Sequence, residues 1–333
     1  MTLPIIALTM GDPAGVGPEI ILKSLSDSAL RSRCRPLIIG DPAVMARAAA
    51  LVPGAPPLRT IVDISEAAYG PAVDVLPTMV PAPPVVFWGA ISEATAKAML
   101  APLDLACDLA LAGAIQGIVF GPLNKEAFHL CGYAHRDEVD YMGERTGCPD
   151  AYILGLMRGV WVTAVAEHVP FREIADLITR DNVLRYVVGL DAMMRRAGVK
   201  APDDGAPRIA VAALNVHAGE GGALGTEEIT DIRPAVDDAC EQGVAASGPY
   251  PADTVFSRAL GGEFEGVVAM FHDQANIARK LQPMSERVTL FEGLPVPGGT
   301  TAHGVAYDIA GRGVADPGSL IAALDGMIRL SSV

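Results

Sequence analysis

The chain opens on the apolar run IIALT at residues 5–9, and a loop rich in glycine and proline follows it up to residue 17. A stretch with helical character extends from Pro18 to Leu25, with proline in the first turn, where a missing N–H is tolerated. Two more apolar runs are PLIIG at residues 36–40 and GIVFG at residues 117–121, and Ser92 can cap a long helix ending at Leu111. Short buried strands that alternate with helices are typical of an α/β fold.

Length and composition predict a large interior divided between two lobes. The chain has 333 residues, of which 50% are hydrophobic and 19% are charged, and chains of this size usually form more than one core. We expect residues 1–129 and 303–333 to form a first, discontinuous α/β lobe and residues 130–302 to form a second. The stretch from Pro53 to Pro84 is expected to be irregular and peripheral, and residues 316–330 to form a helix on the first lobe.

Charge, cysteine content and hydropathy narrow the class of protein. The net charge is −14 without any lysine- or arginine-rich run, which argues against nucleic acid but leaves a small anionic substrate open. The five cysteines are odd in number and lack C-x-x-C spacing, which favours a reducing cytoplasm over a disulfide framework. No apolar run reaches the ~18–20 residues that span a bilayer. Pro4 to Leu8 has the pattern of a first strand rather than of a signal peptide.

Three of the six histidines follow predicted strands. His168 comes after VWVTAVA and Glu167, His217 after the apolar run that begins at Ile209, and His272 after VVAMF. Because the carboxyl ends of strands line the binding crevice of open α/β sheets, the three imidazoles could converge on one divalent cation. Each could instead be a hydrogen-bonded structural residue, and the pattern alone leaves both interpretations open.

Three glycine-rich segments are candidates for ligand loops. The loop GDPAGVGPE at residues 11–19 lacks the third glycine of a dinucleotide fingerprint, since Ile20 stands there, and lacks a P-loop lysine, so it predicts a tight turn. The segment NVHAGEGG at residues 215–222 places glycines beside His217 and favours a ligand-binding loop over a flexible one. The stretch AHGVAYDIAGRG at residues 302–313 combines a histidine–glycine turn, an aspartate and a glycine-flanked arginine, which is unusual for a plain helix start.

That last stretch resembles the H-G-S/T-A-x-D-I-A-G-K/R-G signature. Isocitrate and isopropylmalate dehydrogenases share the signature with the 4-hydroxythreonine-4-phosphate dehydrogenase (PdxA-type) family. Five other segments are similar to the last of these families, and they occur in the same order along nearly the whole chain. They are TMGDPAGVGPE at 9–19, GPLNK at 121–125, HAGEGG at 217–222, PADT at 251–254 and HDQ at 272–274.

The resemblance implies a two-lobe isocitrate/isopropylmalate dehydrogenase-like α/β fold with the active site in the interlobe cleft. The first lobe would be the cofactor side, and the second the metal and dimer side. A divalent metal ion (zinc, magnesium, manganese or similar) would be held in a homodimer by His168 and His217 of one subunit and by His272 supplied in trans. NAD or NADP would lie along the loops that carry Gly299, His303, Gly304, Ala306 and Asp308. Lys280, eight residues after the third histidine, would contact the substrate.

The substrate pocket departs from the family pattern. The family's Gly-His-Thr-Glu aligns with Asp137-Glu138-Val139-Asp140, and its phosphate-site asparagine and arginine align with Thr289 and Gly298. These changes remove donors that a phosphate dianion would need. Arg136 and Arg287 lie nearby in the sequence, and whether either one rebuilds an anion site stays open. The expected substrate-binding residues are Lys280, Glu138, Val139, Thr289, Arg287 and Gly298.

The expected activity is metal-dependent, NAD(P)-linked oxidation of a secondary alcohol β to a carboxylate, followed by decarboxylation. Lys280 would anchor the carboxylate or relay a proton, and Asp253 would orient a metal ligand unless it only caps a helix. We expect a non-phosphorylated substrate, such as a cis-dihydrodiol carboxylate of the terephthalate dihydrodiol type. One alternative is a 4-hydroxythreonine-4-phosphate or 4-phosphothreonate dehydrogenase, and another is a non-catalytic metal- or ligand-binding relative.

Overall fold

The computed structural model describes residues 3–83, 86–133, 135 and 137–331, so Pro84 and Arg136 lie outside the described residues. The chain divides into two compact units, Met1–Tyr152 with Val288–Val333 and Ile153–Arg287. The first unit resumes at Val288. From there the chain forms two strand segments that pair with each other and with the sheet of the first unit. The division at residues 129/130 and 302/303 stays a prediction.

The first unit is built on a mostly parallel sheet. Its strands are β1 (Ile5–Thr9), β2 (Arg35–Ile39), β3 (Leu58–Thr60), β4 (Val73–Leu76), β5 (Gly117–Phe120), β11 (Arg287–Glu292) and β12 (Gly298–Thr301). They lie in the order β3-β4-β2-β1-β5-β12-β11, and β11 alone of these described strands runs antiparallel to its neighbour. The expectation that residues 53–84 are irregular is wrong for β3 and β4. These short strands extend the sheet beside β2 because their backbones pair in register.

The helices of the first unit are α1 (Gly17–Ser26), α2 (Ser28–Arg31), α3 (Pro42–Ala49), α4 (Glu93–Leu111), α5 (Lys125–Leu130), α6 (Glu138–Thr146) and α12 (Gly318–Ser331). The predicted cap of α4 is confirmed, since Ser92 and Thr95 form a reciprocal capping box. The predicted C-terminal helix is confirmed as α12, whose buried face carries Leu320, Leu324 and Met327 against β5 and β12.

The second unit has a five-stranded sheet. Its strands are β6 (Tyr152–Met157), β7 (Val160–Ala166), β8 (Ile209–Ala212), β9 (Ala246–Tyr250) and β10 (Gly266–Phe271), in the order β6-β7-β10-β8-β9. All pairs except β6–β7 are parallel. Its helices are α7 (Ile174–Leu177), α8 (Arg180–Arg196), α9 (Arg233–Glu241), α10 (Ala252–Leu260) and α11 (His272–Lys280). Because β7, β10 and β8 are parallel neighbours, their carboxyl ends lie at one edge of the sheet.

Within the described ranges, every helix is too short or too polar to cross a membrane.

Candidate metal and cofactor sites

The strand ends of the second unit bring two of the predicted histidines together. Phe271, the last residue of β10, is in register with Ala166, the last residue of β7. His272 and Glu167 are the next residues on the two strands, and His168 follows Glu167. The imidazole rings of His168 and His272 lie 5.5 Å apart, centroid to centroid.

Glu167, His168 and His272 form a cluster that we call the strand-end triad. One ligand atom from each residue lies within 4.8 Å of the other two. Two imidazole nitrogens and a carboxylate oxygen are donors suited to first-row divalent metals. The donor set of the triad is therefore compatible with the divalent ion that the sequence predicted.

Asp273 holds the imidazole ring of His272 in one orientation through a hydrogen bond at Nδ1. Its Nδ1 lies 2.7 Å from the Asp273 carboxylate, which when ionised can only accept, so Nδ1 carries the proton. Nε2 is then left with the lone pair that a metal requires, the arrangement usual for metal-bound histidines. His272 is the first residue of α11, so its place follows directly from where β10 ends.

The backbone at His168 has φ of 20°, which is uncommon for a residue with a side chain. This conformation breaks the alternation of a strand, so Glu167 and His168 need not face opposite sides. Non-glycine residues held in such conformations cluster at functional sites. A depression of about 180 Å³ adjoins the triad, and Phe171, Ile174 and Phe271 form part of its apolar wall.

His217 is not in the strand-end triad. It begins a run of six residues, His217–Gly222, that all have positive φ, and its ring is exposed. Its Nδ1 lies 2.7 Å from Glu220. The start of this loop is held at Asn215, whose backbone N–H and side-chain amide both donate to the buried carboxylate of Glu228. Its role as a third metal ligand stays a prediction.

Three cations lie near the end of α11. Arg279 is buried and Lys280, the last residue of the helix, is exposed, while Arg287 donates from Nη1 to the Lys280 carbonyl at 3.3 Å. Burial lowers the pKa of Arg279 to about 10, an effect that the Glu167 carboxylate opposes and the Arg287 charge reinforces. This pKa still leaves Arg279 protonated at neutral pH. We call Arg279, Lys280 and Arg287 the α11 cationic group.

The other residues predicted to act on substrate occupy different settings. Asp253 lies in the first turn of α10 and is exposed; the N-cap is Pro251, so the alternative in which Asp253 caps the helix is wrong. Glu138 begins α6, which Asp137 caps by accepting from the Asp140 N–H. Val139, at 7% exposure, and Gly298 are buried, and Thr289 is half-buried on β11. Their contacts with substrate stay predictions.

In the first unit, Gly299 is buried on β12, and the other predicted cofactor residues belong to a loop tied to the turn after β1. Val16 donates its N–H to the Val305 carbonyl at 3.0 Å. The Tyr307 hydroxyl donates to the Asp12 carboxylate at 2.5 Å and accepts from the Asn124 side-chain amide at 3.1 Å. Burial raises the pKa of Asp12, although its hydrogen bonds from Tyr307 and the Ala14 N–H oppose the shift. These bonds hold the loop that carries His303, Gly304, Ala306 and Asp308.

The far end of this loop is attached to α1. The buried Glu19 carboxylate accepts from the N–H groups of Gly313 and Ala315, both at 3.1 Å, and Lys23 donates to the Ala315 carbonyl at 2.5 Å. Sequence reasoning found the loop through its motif but missed Asp12, Glu19 and Tyr307 as its attachments. The signature allows any residue at the position of Tyr307. No local sequence pattern links Tyr307 to Asp12, so their hydrogen bond could not be predicted.

Residues 32–326 match the family described as pyridoxal phosphate biosynthetic protein PdxA. The chain is 39% identical to 4-hydroxythreonine-4-phosphate dehydrogenase of Desulfosudis oleivorans, over 97% of this chain and 94% of that protein. It is 36% identical to a putative D-threonate 4-phosphate dehydrogenase of Symbiobacterium thermophilum, over 97% and 95% of the two chains.

Two solved structures resemble the fold over nearly their full lengths. A 4-hydroxythreonine-4-phosphate dehydrogenase from Burkholderia phymatum has a TM-score of 0.83 and 36% identity, with 99% of each chain covered. A terephthalate 1,2-cis-dihydrodiol dehydrogenase from Burkholderia xenovorans has a TM-score of 0.69 and 25% identity, with 98% of each chain covered. The predicted α/β dehydrogenase fold is confirmed.

The fold and these relatives define the class of protein as an NAD(P)-dependent dehydrogenase that acts on a CH–OH group. Within that class, the chain belongs to the PdxA family. The expectation of a non-phosphorylated dihydrodiol substrate is not supported, because the relatives with higher identity are named for phosphorylated substrates.

Proposed function

We propose that the protein is a metal-dependent, NAD(P)-linked dehydrogenase that oxidises the secondary hydroxyl of a phosphorylated hydroxy acid and promotes its decarboxylation. The substrate would be 4-hydroxythreonine-4-phosphate or D-threonate 4-phosphate. The observation that carries the proposal is the approach of His168 and His272 to 5.5 Å at adjoining strand ends. His217 is the proposed third ligand. A divalent ion bound there would supply Lewis acidity that lowers the pKa of a substrate hydroxyl.

The α11 cationic group supports a phosphorylated substrate. Lys280 and Arg287 together offer an ammonium and a guanidinium near one point of the chain, and these groups bind phosphate oxygens by charge-assisted hydrogen bonds. The start of α6 is unsuited to that task, because Asp137, Glu138 and Asp140 concentrate negative charge at its N-terminus. We therefore assign the anion to Lys280 and Arg287 rather than to the segment at residues 137–140.

The cofactor is proposed to bind along the end of β12 and the loop that follows it, from Gly299 to Asp308. Tyr307 would not react but would hold this loop against the turn at Asp12, so that backbone N–H groups keep a fixed position. Lys280 would hold a substrate carboxylate or phosphate oxygen and, as an exposed ammonium, could return a proton to the carbon left after carbon dioxide departs. Asp253 has no assigned step.

We also propose that the active form is a homodimer. The family resemblance implied that each site uses His272 of the partner subunit, whereas the strand ends bring His168 and His272 together within one chain. We therefore propose that both histidines of a site come from the same subunit.

Complementation tests this assignment. Co-expressed His168→Ala and His272→Ala chains, differently tagged and purified as mixed dimers, should stay inactive because every site lacks one histidine. Recovery of about half the wild-type activity would mean that the His272 in each site is that of the partner subunit.

The substrate proposal is tested by a panel assay. The protein, pre-loaded with Mn²⁺ or Zn²⁺, is mixed with NAD or NADP and with each candidate acid, and reduced nicotinamide is followed by absorbance. We expect turnover of one of the two phosphorylated acids and loss of turnover in His272→Ala. Turnover of a dihydrodiol carboxylate but of neither phosphorylated acid would overturn the substrate assignment.

A further inference from the structure

We propose that Trp88 is a positioning residue for the nicotinamide cofactor, because its indole packs on the signature loop, residues 302–313, and keeps that loop in place. This inference rests on the proposed binding of NAD or NADP along the loop. Trp88 lies outside the signature and outside the five other segments that resemble the family, so the resemblance gives it no role.

The indole of Trp88 lies flat on the end of the signature loop. A Cβ at Gly311 would lie 2.3 Å from Cδ1 and 2.4 Å from both Cγ and Nε1 of the ring. Three such similar distances mean that the ring presents its face to the backbone of Gly311. Gly311 also has φ of +75°, which glycine adopts without strain. The ring is therefore in direct contact with the loop backbone.

Gly89 extends this contact to the middle of the loop. Its N–H donates to the Ala14 carbonyl at 2.8 Å, in the turn after β1. A Cβ at Gly89 would lie 2.8 Å from the carbonyl oxygen of Tyr307, so the two backbones pack closely. Asp308, one of the predicted cofactor residues, lies between this contact and the indole contact. Its side chain is exposed, while the backbone on both sides of it is held.

Arg47 on α3 holds the indole in its place. The guanidinium lies 4.0 Å from the centroid of the Trp88 ring, and its Nη1 donates to the Val86 carbonyl at 2.7 Å. The Nε and Nη2 atoms are shielded from solvent and have no hydrogen-bond partner among the described residues. An indole face is the best aromatic partner for a cation, so the ring compensates for the missing acceptors. Burial lowers the pKa of Arg47, yet an arginine stays charged at neutral pH.

Helix α3 is itself attached to both partners of this contact. Asp41 caps the helix by accepting from two N–H groups of its first turn, and its second oxygen accepts from the Ala82 N–H at 2.9 Å. Beyond the helix, the Leu51 carbonyl packs against Gly313, where a Cβ would lie 2.6 Å from that oxygen. The end of the signature loop therefore rests on α3 and on the indole together.

A fixed loop matters for affinity more than for chemistry. Backbone N–H groups bind a dinucleotide well when they are already in position, because any ordering that accompanies binding subtracts from the affinity. Without the indole, the loop would have to be ordered when the cofactor binds. We therefore expect Kd and KM for the cofactor to depend on Trp88, and kcat at saturating cofactor to be independent of it.

The test uses the metal-loaded full chain and NAD or NADP, whichever the wild type binds more tightly. Calorimetry gives the cofactor Kd, and absorbance of reduced nicotinamide gives KM and kcat. We expect Trp88→Leu to raise Kd and KM about tenfold, with kcat and Zn²⁺ affinity unchanged. Trp88→Phe keeps an aromatic face and should recover most of the affinity. A rise in Kd accompanied by an equal loss of kcat or of Zn²⁺ affinity would mean a general structural defect and would overturn the inference.

Arg47→Met tests the support of the indole without touching the loop. It should raise the cofactor Kd in the same direction as Trp88→Leu and by a smaller factor. Arg35→Met is the matched control, since Arg35 lies 5.5 Å from the ring of Tyr69 and forms another arginine–aromatic pair of the same unit. The control should leave the cofactor Kd unchanged.

Fluorescence supplies a readout that a purely structural role would not move. The chain has two tryptophans, and Trp161 is buried on β7 of the second unit. Trp161→Phe therefore leaves Trp88 as the single reporter. We expect its emission to change on addition of cofactor and to saturate with the Kd found by calorimetry. Emission that stays constant while the cofactor binds would overturn the inference.

The inference and the proposed function fail differently. If folded Trp88→Leu binds the cofactor as tightly as wild type, Trp88 does not position the loop, but the proposed dehydrogenase function stands. If Trp88→Leu does not fold, Arg47→Met decides, and an unchanged Kd in that variant overturns the inference. If the wild type binds neither NAD nor NADP, the proposed function falls as well.

Discussion

The rings of His168 and His272 lie 5.5 Å apart although far apart in sequence, because Ala166 and Phe271 are register partners on neighbouring parallel strands. The pairing of β7 with β10 therefore sets the spacing of the two imidazoles. No loop has to close to bring them together. Ordered strands hold ligands more precisely than loops do, which favours a preformed pair.

Asp273 should tune metal affinity without touching the metal. It accepts from Nδ1 of His272 at 2.7 Å and so fixes the tautomer and the ring orientation. We expect Asp273→Asn to weaken metal binding about tenfold or more, because an amide holds the imidazole less well and no longer supplies charge. Calorimetry with Zn²⁺ measures the effect. Asp176→Asn, at an exposed aspartate on α7, is the control, and an unchanged Kd in Asp273→Asn would contradict the assigned role.

Lys280 and Arg287 should determine affinity for the phosphorylated substrate. We expect Lys280→Ala and Arg287→Ala each to raise KM for that substrate about tenfold or more, since a charge-assisted hydrogen bond contributes about 1.5–3 kcal/mol. Inorganic phosphate should inhibit the wild type competitively and both variants more weakly. Lys200→Ala, at an exposed lysine paired with Asp204, is the control. Equal phosphate inhibition in all four proteins would place the anion elsewhere.

Tyr307 should affect cofactor affinity rather than metal affinity. In Tyr307→Phe the bonds to Asp12 and Asn124 are lost while the ring remains, and two hydrogen bonds contribute about 1–3 kcal/mol together. We expect KM for the nicotinamide cofactor to rise about tenfold, with little change in kcat or in Zn²⁺ binding. Tyr69→Phe is the control within the same unit. A variant with normal cofactor KM would show that the loop keeps its position without these bonds.

Gly311 should be needed for stability of the signature loop. Its φ is +75°, and a Cβ would lie 2.3 Å from Cδ1 of Trp88, whose ring stacks under the Arg47 guanidinium at 4.0 Å. Gly113 has a similar φ of +69° but open space around it. Gly113→Ala should cost about 1 kcal/mol from the backbone alone, and Gly311→Ala about 2–4 kcal/mol. Thermal melts compare the two, and equal Tm values would contradict the steric account.

Several helices and strands can be predicted from the sequence because their apolar runs and capping residues are strong local patterns. Strand β1 is a continuous apolar run, and helix α1 and the capped helix α4 carry apolar residues after a defined start. Strands β3 and β4 were missed because they have only three and four residues and lie in a proline-rich stretch. Their pairing beside β2 is a property of the assembled sheet that local sequence does not encode.

The residues of the candidate metal site also divide into those that the sequence predicted and those that it missed. The positions of His168 and His272 follow from the rule that strand ends meet at one edge. Glu167 was given no role because the pattern at the strand ends drew attention to the histidines alone, and the unusual backbone of His168 could not be foreseen. Arg279 was missed because a buried arginine looks like any helical arginine in the sequence.

The metal content of histidine variants tests the central claim most directly. Each protein is equilibrated with Zn²⁺ and separated from free metal, and its bound zinc is then quantified by elemental mass spectrometry. We predict about one ion per chain for wild type and for His129→Ala, an exposed histidine on α5, and a large loss in His168→Ala and His272→Ala. Undiminished zinc in folded His168→Ala and His272→Ala would contradict the account.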